Sequence, residues 1–292
     1  MKNSHQYMNQ QPKDDNLKSF PGIEINYARS KEEVWAALQA QMEQPRETQL
    51  QINKTSFNWM LVAAAAILIL FLSTTTFAYL FTKTVQAPSG KHLAILLPDG
   101  SGVELNAKSV VRYKPYWWVL SREVQFEGEA FFKVRKGKTF EVVSSQGRTI
   151  VLGTSFNIYS RKDQYRVTCY TGKVKVVSVS SGESTEIHPN EQAIVGKDGT
   201  VLRQTAEAPD HAISWMNDRF VFTRTPLNLV FEEIERQYSI TIEMEGNTDY
   251  LYTGNFTREL SAEEVVRMVC LSLNLEYKKT PGGFIVAKKT DT

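Results

Sequence analysis

Residues 59–81 read WMLVAAAAILILFLSTTTFAYLF, and no charged residue stands between Lys54 and Lys83. At the helical rise of about 1.5 Å per residue this stretch extends ~35 Å, enough to cross a hydrocarbon core of ~30 Å with some tilt. Trp59 at one end and Tyr79 with Phe81 at the other stand where aromatic rings favour the interface. A cleaved secretory signal is shorter and follows closely on a basic start, whereas more than fifty residues precede this segment. The helix of a soluble core seldom lacks charge for so long. The segment is therefore expected to be one transmembrane helix, residues 59–81. Inside it, Ser73, Thr74, Thr75 and Thr76 carry hydroxyls able to bond back to their own helix. Arg46 and Lys54 before the span balance Lys83 and Lys91 after it, so the positive-inside rule gives no orientation.

A span divides the chain into an arm, residues 1–58, and a larger C-terminal portion. Residues 1–16 are rich in Gln, Asn, Lys and Asp and offer little to bury, which predicts a disordered lead. Ser30 followed by Glu33 matches a capping box, in which the hydroxyl accepts from an orphan amide and the carboxylate reaches back to the cap. Val34, Trp35, Leu38 and Met42 then recur at helical spacing, until Pro45 stops the helix. So short a helix is marginal in water and needs a surface. That surface is either the rest of the arm, including Ile23, Ile25 and Tyr27, or the groove of a partner.

Beyond a linker expected at 82–90, apolar residues alternate. Leu93, Ile95 and Leu97 lead to Asp99-Gly100, a hairpin signal in which both turn positions favour positive φ, and Val103 and Leu105 follow. Further strands are expected at 110–113, 124–126, 130–134, 140–143, 149–152, 156–159, 165–170, 173–179, 185–187 and 192–195. So many short strands predict an all-β sandwich of jelly-roll type over 91–202, with a β-helical stack as the alternative. In the cluster Tyr113, Tyr116, Trp117 and Trp118, neighbouring side chains of a strand point oppositely, so at least one tryptophan is expected in the core rather than on a sugar-binding platform.

After a second linker, 203–212, the chain repeats. Pro226-Leu227, Val230, Phe231, Ile234 and a strand at 238–242 are echoed about 35 positions on by Ser261-Ala262, Val265, Val266, Val269 and 273–277. Each copy opens with a strand, at 220–223 and 254–257, and Pro281-Gly282-Gly283 leads to a last one at 284–287. This predicts a small α+β domain of two βαβ repeats over 213–289, its sheet edges either open to a partner strand or blunted by Lys278, Lys279, Lys288 and Lys289.

Composition excludes several functions. With 34 Lys+Arg against 32 Asp+Glu, nothing favours an electrostatic grip on nucleic acid. Cys169 and Cys270 are far apart and make no disulfide framework. His5, His92, His188 and His211 have no metal-ligand spacing, and no Gly-rich phosphate loop precedes a helix. No enzyme, metal or cofactor is expected.

Leu97-Pro98-Asp99-Gly100-Ser101 with Leu105-Asn106, Arg122-Glu123-Val124 leading to Gly128-Glu129-Ala130-Phe131-Phe132, and Leu152-Gly153-Thr154-Ser155-Phe156-Asn157 resemble the central domain of FecR-type anti-sigma factors. The last module, with Trp215, Phe220, the paired helices and Tyr238, is similar to that family's C-terminal domain, related to the short N-terminal domain of secretins and TonB-dependent receptors. Ser30-Lys31-Glu32-Glu33-Val34-Trp35 resembles the arm of its longer branch. The resemblance implies a cytoplasmic arm that binds an extracytoplasmic-function sigma factor, here through Val34, Trp35, Leu38 and Met42, and two periplasmic modules behind an inner-membrane span. It also implies that the last module meets the signalling domain of a TonB-dependent outer-membrane transporter, and that an intramembrane protease frees the arm, with Ser73, Thr74, Thr75 and Thr76 easing local unwinding. Polysaccharide-uptake genes are the expected targets. The rival reading is an anchored periplasmic protein that captures glycan or peptidoglycan through the β-module.

Overall fold

The structure is a computed structural model and describes residues 28–43, 58–246 and 249–289. The expected disordered lead and the packing partners Ile23, Ile25 and Tyr27 lie outside the described residues, as does Pro45.

Helix α1 (Lys31–Met42) opens on the expected capping box: Glu33 N–H donates to Ser30 Oγ, and Ser30 N–H donates to the Glu33 carboxylate, each at 3.2 Å. None of its residues is buried. Helix α2 (Trp59–Leu80) is unbroken over 22 residues, has a mean hydropathy of 2.2 over its most apolar window, and likewise buries nothing. So large an apolar surface is unsuited to water, and α2 fits a single-pass membrane anchor.

Thirteen strands follow: β1 (Lys83–Gln86), β2 (Leu93–Leu96), β3 (Gly102–Leu105), β4 (Val110–Tyr113), β5 (Arg122–Lys133), β6 (Phe140–Val143), β7 (Gly147–Val151), β8 (Ser155–Arg161), β9 (Gln164–Thr171), β10 (Val174–Ser178), β11 (Ser184–Ile187), β12 (Glu191–Val195) and β13 (Val201–Thr205). They form two sheets, ordered β1-β4-β5-β6-β7-β10-β11 and β2-β3-β5-β8-β9-β12-β13. Both sheets contribute to one apolar core, with Val111, Phe126, Phe140 and Val176 from the first and Leu105, Phe132, Phe156 and Val167 from the second. Hairpins β6–β7, β8–β9, β10–β11 and β12–β13 join the two sheets alternately, β10 extending β7 and β12 extending β9. The pair β5–β6 is parallel. The region is thus a large, mostly β domain whose sheets grow by stacked hairpins. The order of a jelly roll, expected from strand number alone, is not seen.

Strand β5 belongs to both sheets. Its first half pairs with β4 and β6, its second with β3 and β8, and the switch falls at Gly128, where φ is +120°. A Cβ there would sit 2.4 Å from Ser109 Oγ and 2.6 Å from its Cα, so glycine meets both the torsion and the close approach. Two expected strands, 124–126 and 130–134, are one strand for this reason.

Three further differences have local causes. The hairpin at Asp99-Gly100 has three loop residues, with Leu97 and Ser101 paired across it, and only Gly100 takes positive φ, +78°. Pro98 sets a φ near −65° at the first turn position, which starts a type I turn closed by a left-handed glycine rather than a two-residue turn. Residues 83–86, read as linker, are β1 paired with β4; residues 201–205, where the sandwich was read to end, are β13 paired with β12. Both strands are too exposed to alternate visibly.

The last region comprises β14 (Arg219–Pro226), α3 (Leu227–Tyr238), β15 (Thr241–Met244), β16 (Leu251–Thr257), α4 (Ala262–Ser272), β17 (Leu275–Thr280) and β18 (Gly283–Lys288). The strand–helix–strand order occurs twice, but the two strands of each copy lie in different sheets: β14 pairs with β16, while β15 and β17 flank β18. Tyr238, expected to begin a strand, ends α3, and Ser239 at φ +57° stops the helix before β15. Asn274 at φ +53° follows α4 in the same way. Leu227, Val230, Phe231 and Ile234 of α3 and Val265, Val266, Val269 and Cys270 of α4 fill the second core.

Candidate functional site

In the arm, Val34, Trp35, Leu38 and Met42 are all exposed, Trp35 at 66% and Met42 at 82%. Glu32 and Glu33 in the first turn complement the helix dipole. A capped helix with a bare apolar stripe has the form of an element that completes itself against another surface.

In the span, Ser73 and Thr74 donate to Leu70 O at 2.9 and 2.8 Å, and Thr75 to Phe71 O at 2.8 Å. These three hydroxyls are satisfied inside the helix, and α2 continues through Thr76 without a break. Beside its end, Tyr116 and Trp117 lie in a 3-10 turn, Pro115–Trp117, whereas Trp118 is buried against Tyr113 and Phe140. One tryptophan is core, as expected, although the segment is a 3-10 turn and not the strand whose alternation suggested it.

The quoted sequence strings converge on two places. Asp99 is bound by Arg122 and accepts from Ser101 N–H at 2.9 Å and Ser101 Oγ at 2.8 Å. Arg122 also donates to the carbonyls of Arg135 and Lys138, so one guanidinium ties the β2–β3 hairpin to β5 and the following loop. The second place is the contact between the β-region and the last module. Glu129 accepts from Asn106 Nδ2 at 2.9 Å and Asn157 Nδ2 at 3.1 Å. Asn106 Oδ1 in turn accepts from Gln237 Nε2 on α3 at 2.8 Å. Gln237 also donates to Glu233 at 2.7 Å, and Glu233 accepts from Arg236 Nη2 at 2.8 Å and Nε at 3.1 Å. Arg161 donates to Ala107 O at 2.8 Å beside them.

Glu129, Glu233, Arg236 and Gln237 are all buried. Burial, then the neighbouring Glu233 charge, pushes the Glu129 carboxyl above the usual carboxylate range. Burial also acts to raise Glu233, but the Arg236 and Arg161 guanidiniums and the bonds from Gln237 and Arg236 outweigh it and hold that carboxyl low. Burial pulls the Arg161 guanidinium down. Around this polar knot, Phe131 packs into the last module's core, Tyr170 donates to Pro209 O at 2.6 Å, and Lys162 pairs with Glu232 at 2.6 Å. A cleft of about 870 Å³ opens beside it, between Arg166, Thr168 and Gln192 of one wall and Trp215, Phe220 and Phe222 of the other.

None of Arg161, Glu233, Arg236 or Gln237 was singled out from sequence. Gln237 carried a signal, since it continues the apolar series Leu227, Val230, Ile234 at helical spacing as a polar residue in a core position. Among the described residues, no group of three or more His, Cys, Asp or Glu side chains is placed to hold a metal ion. Cys169 and Cys270 are free and buried, their thiols raised by burial to about 11. The outer edges of the three-stranded sheet are β15 and β17; on the latter, Lys279 pairs with Glu263 at 2.9 Å.

The chain matches two family descriptions, FecR protein over residues 83–175 and FecR, C-terminal over residues 219–286. It is also similar to two crystal structures of a candidate anti-sigma factor from Parabacteroides distasonis ATCC 8503. The first shares 30% identity at a TM-score of 0.66, covering 72% of this chain and 100% of that one. The second shares 31% at 0.65, covering 71% and 100%. No curated protein matches the chain. Anti-sigma factors are regulators rather than enzymes, and their partners are sigma factors. The strings that converge on the Asp99–Arg122 tie and the Glu129 knot, together with the relative matched over its whole length, place this chain in the FecR family of anti-sigma factors.

Proposed function

We propose that the chain is a single-pass inner-membrane anti-sigma factor whose cytoplasmic arm, residues 1–58, binds an extracytoplasmic-function sigma factor, and whose periplasmic modules receive a signal from the signalling domain of a TonB-dependent transporter. The observation that carries the reading is α1: capped at its start by the Ser30–Glu33 box, bare along Val34, Trp35, Leu38 and Met42, and so in need of a partner surface. The strand edges β15 and β17 offer backbone groups to a transporter segment by strand addition. The output is exposure of the span to an intramembrane protease, since a lone helix in lipid has no second packed state with which to pass on a small displacement. The genes controlled are nutrient-uptake genes of the polysaccharide class.

Trp35→Ala in the full chain tests the arm. An interface anchor of this size gives about 2 kcal/mol or more, near thirtyfold in Kd, so co-purification of the cognate sigma factor falls sharply. Undiminished recovery would assign the stripe to the arm's own packing. A reporter fused after Thr292 that is active only in the cytosol would overturn the orientation.

A further inference from the structure

Helix α2 ends at Leu80, and β1 begins three residues on, at Lys83. Lys83 is paired antiparallel with Tyr113 of β4, so the chain leaving β4 runs back toward the end of the span. It arrives as residues 114–120. Tyr116 lies against Phe77 and Phe81, ring centroids 6.2 and 5.2 Å apart, and Trp117 meets Tyr79 edge-on at 5.3 Å. Lys114 Nζ stands 3.9 Å from the centre of the Tyr79 ring. Phe77 is one helical turn inside the end of the span, so this loop reaches the depth of the last turn rather than hovering above it.

The loop is apolar where it faces outward. Tyr116, Val119 and Leu120 are exposed at 62%, 79% and 69%, and Tyr116 already touches Phe77 and Phe81 of α2. Leu96, Leu152, Val179 and Leu202 of the β-region are also exposed, and scattered surface apolar residues are common. Lys114 flanks the aromatic pair, and Lys138 Nζ lies 3.5 Å from Val119 O. Aromatic rings packed on the last turn of the span, exposed aliphatic side chains next along the loop and ammonium groups beside them are the residue types of a bilayer interface.

Resting on the reading of α2 as a span, we propose that residues 114–120 are a second membrane contact: Tyr116, Val119 and Leu120 enter the acyl boundary of the leaflet in which α2 ends, with Lys114 and Lys138 among the lipid phosphates. The β-domain is then seated on the membrane at two points and cannot swivel about its short connection.

The test uses the full chain in vesicles of phosphatidylethanolamine and phosphatidylglycerol, with an environment-sensitive fluorophore on Leu120→Cys, Val119→Cys, Val179→Cys or Leu70→Cys. Cys169 and Cys270 are buried and leave the introduced thiol to react. Val179 follows β10, which runs away from the span and lies four strands from β4. The expected result is that lipid spin-labelled near the headgroup quenches the probes at 119 and 120 severalfold more than the probe at 179. The probe at 70 is quenched by lipid labelled deep in the chain. Equal weak quenching at 119, 120 and 179, with 70 still quenched, overturns the seat and leaves the span standing. Probe-to-probe quenching at 120 that ignores labelled lipid overturns it in favour of a second copy. Loss of quenching at 70 overturns the span itself, and the seat with it.

Discussion

Glu233→Ala probes the buried charged knot that α3 presents to the β-region. The wild-type carboxylate accepts three hydrogen bonds, from Arg236 Nη2 and Nε and from Gln237 Nε2, at 2.7 to 3.1 Å, and its side chain is 11% exposed. Removal leaves Arg236, equally buried, facing Glu232 at 3.6 Å, and leaves Arg161 facing one carboxyl in place of two. Breaking a buried pair by deleting one partner costs about 3–5 kcal/mol, because the remaining charge stays desolvated. Alanine is the best helix former, so no part of that loss comes from weaker helix propensity in α3. Native-state hydrogen exchange in detergent-solubilised full chain reads the effect directly, as a fall of about 3–5 kcal/mol in the opening free energy of α3 amides. Glu232→Ala is the companion. Glu232 pairs with Lys162, 69% exposed, and meets Arg236 only at 3.6 Å while Glu233 keeps that guanidinium paired, so its loss is expected to cost about 1 kcal/mol. A Glu233→Ala effect no larger than that of Glu232→Ala would refute the idea that a buried charged knot stabilises α3 where it meets the β-region.

The same knot sets a pH dependence. Because the Glu233 pKa is lowered, its contribution is present above the ordinary carboxylate value of about 4.3 and is lost as pH falls through the folded value. Because the Glu129 pKa is raised, its contribution is fullest below about 4.3 and is lost as pH rises through the folded value; Glu129→Gln is therefore expected to flatten that alkaline-side decline in urea midpoints, and an unchanged slope would count against it. Gly283→Ala places a Cβ 1.8 Å from Thr241 O and 2.8 Å from its backbone N and C, against rigid main chain across the parallel β15–β18 pair. A loss of about 3 kcal/mol in urea unfolding is expected, and one under about 1 kcal/mol would contradict the close approach. Replacing Ser73, Thr74, Thr75 and Thr76 together with leucine should slow release of the arm in a signalling assay, since the hydroxyls offer the backbone alternative bonds during unwinding. Unchanged processing would set that role aside.

Much of the architecture was legible because it is periodic or local. The span, the Ser30–Glu33 capping box and the helices that bury Val230, Ile234, Val265 and Val269 all follow from spacings within a few residues. Strand β1 was missed because three of its four residues are exposed and leave no alternation to read. The Glu129 knot was missed for a different reason: its members come from β5, β8, α3 and the residue that follows β3, and Asn106 meets Gln237 across 131 positions. The strings that pointed to the family contain Asn106, Glu129 and Asn157, yet only the fold shows that they share one polar contact.

Strand β5 has a mechanical consequence. Its first residue, Arg122, follows directly on the loop beside the end of the span, and its eighth, Glu129, holds Asn106, to which Gln237 of α3 is bonded. Extended backbone barely stretches, and seven residues at ~3.4 Å make a tie-rod of about 24 Å. Tension applied to α3 would be delivered lengthwise along that rod toward the bilayer, instead of being dissipated in the surrounding packing.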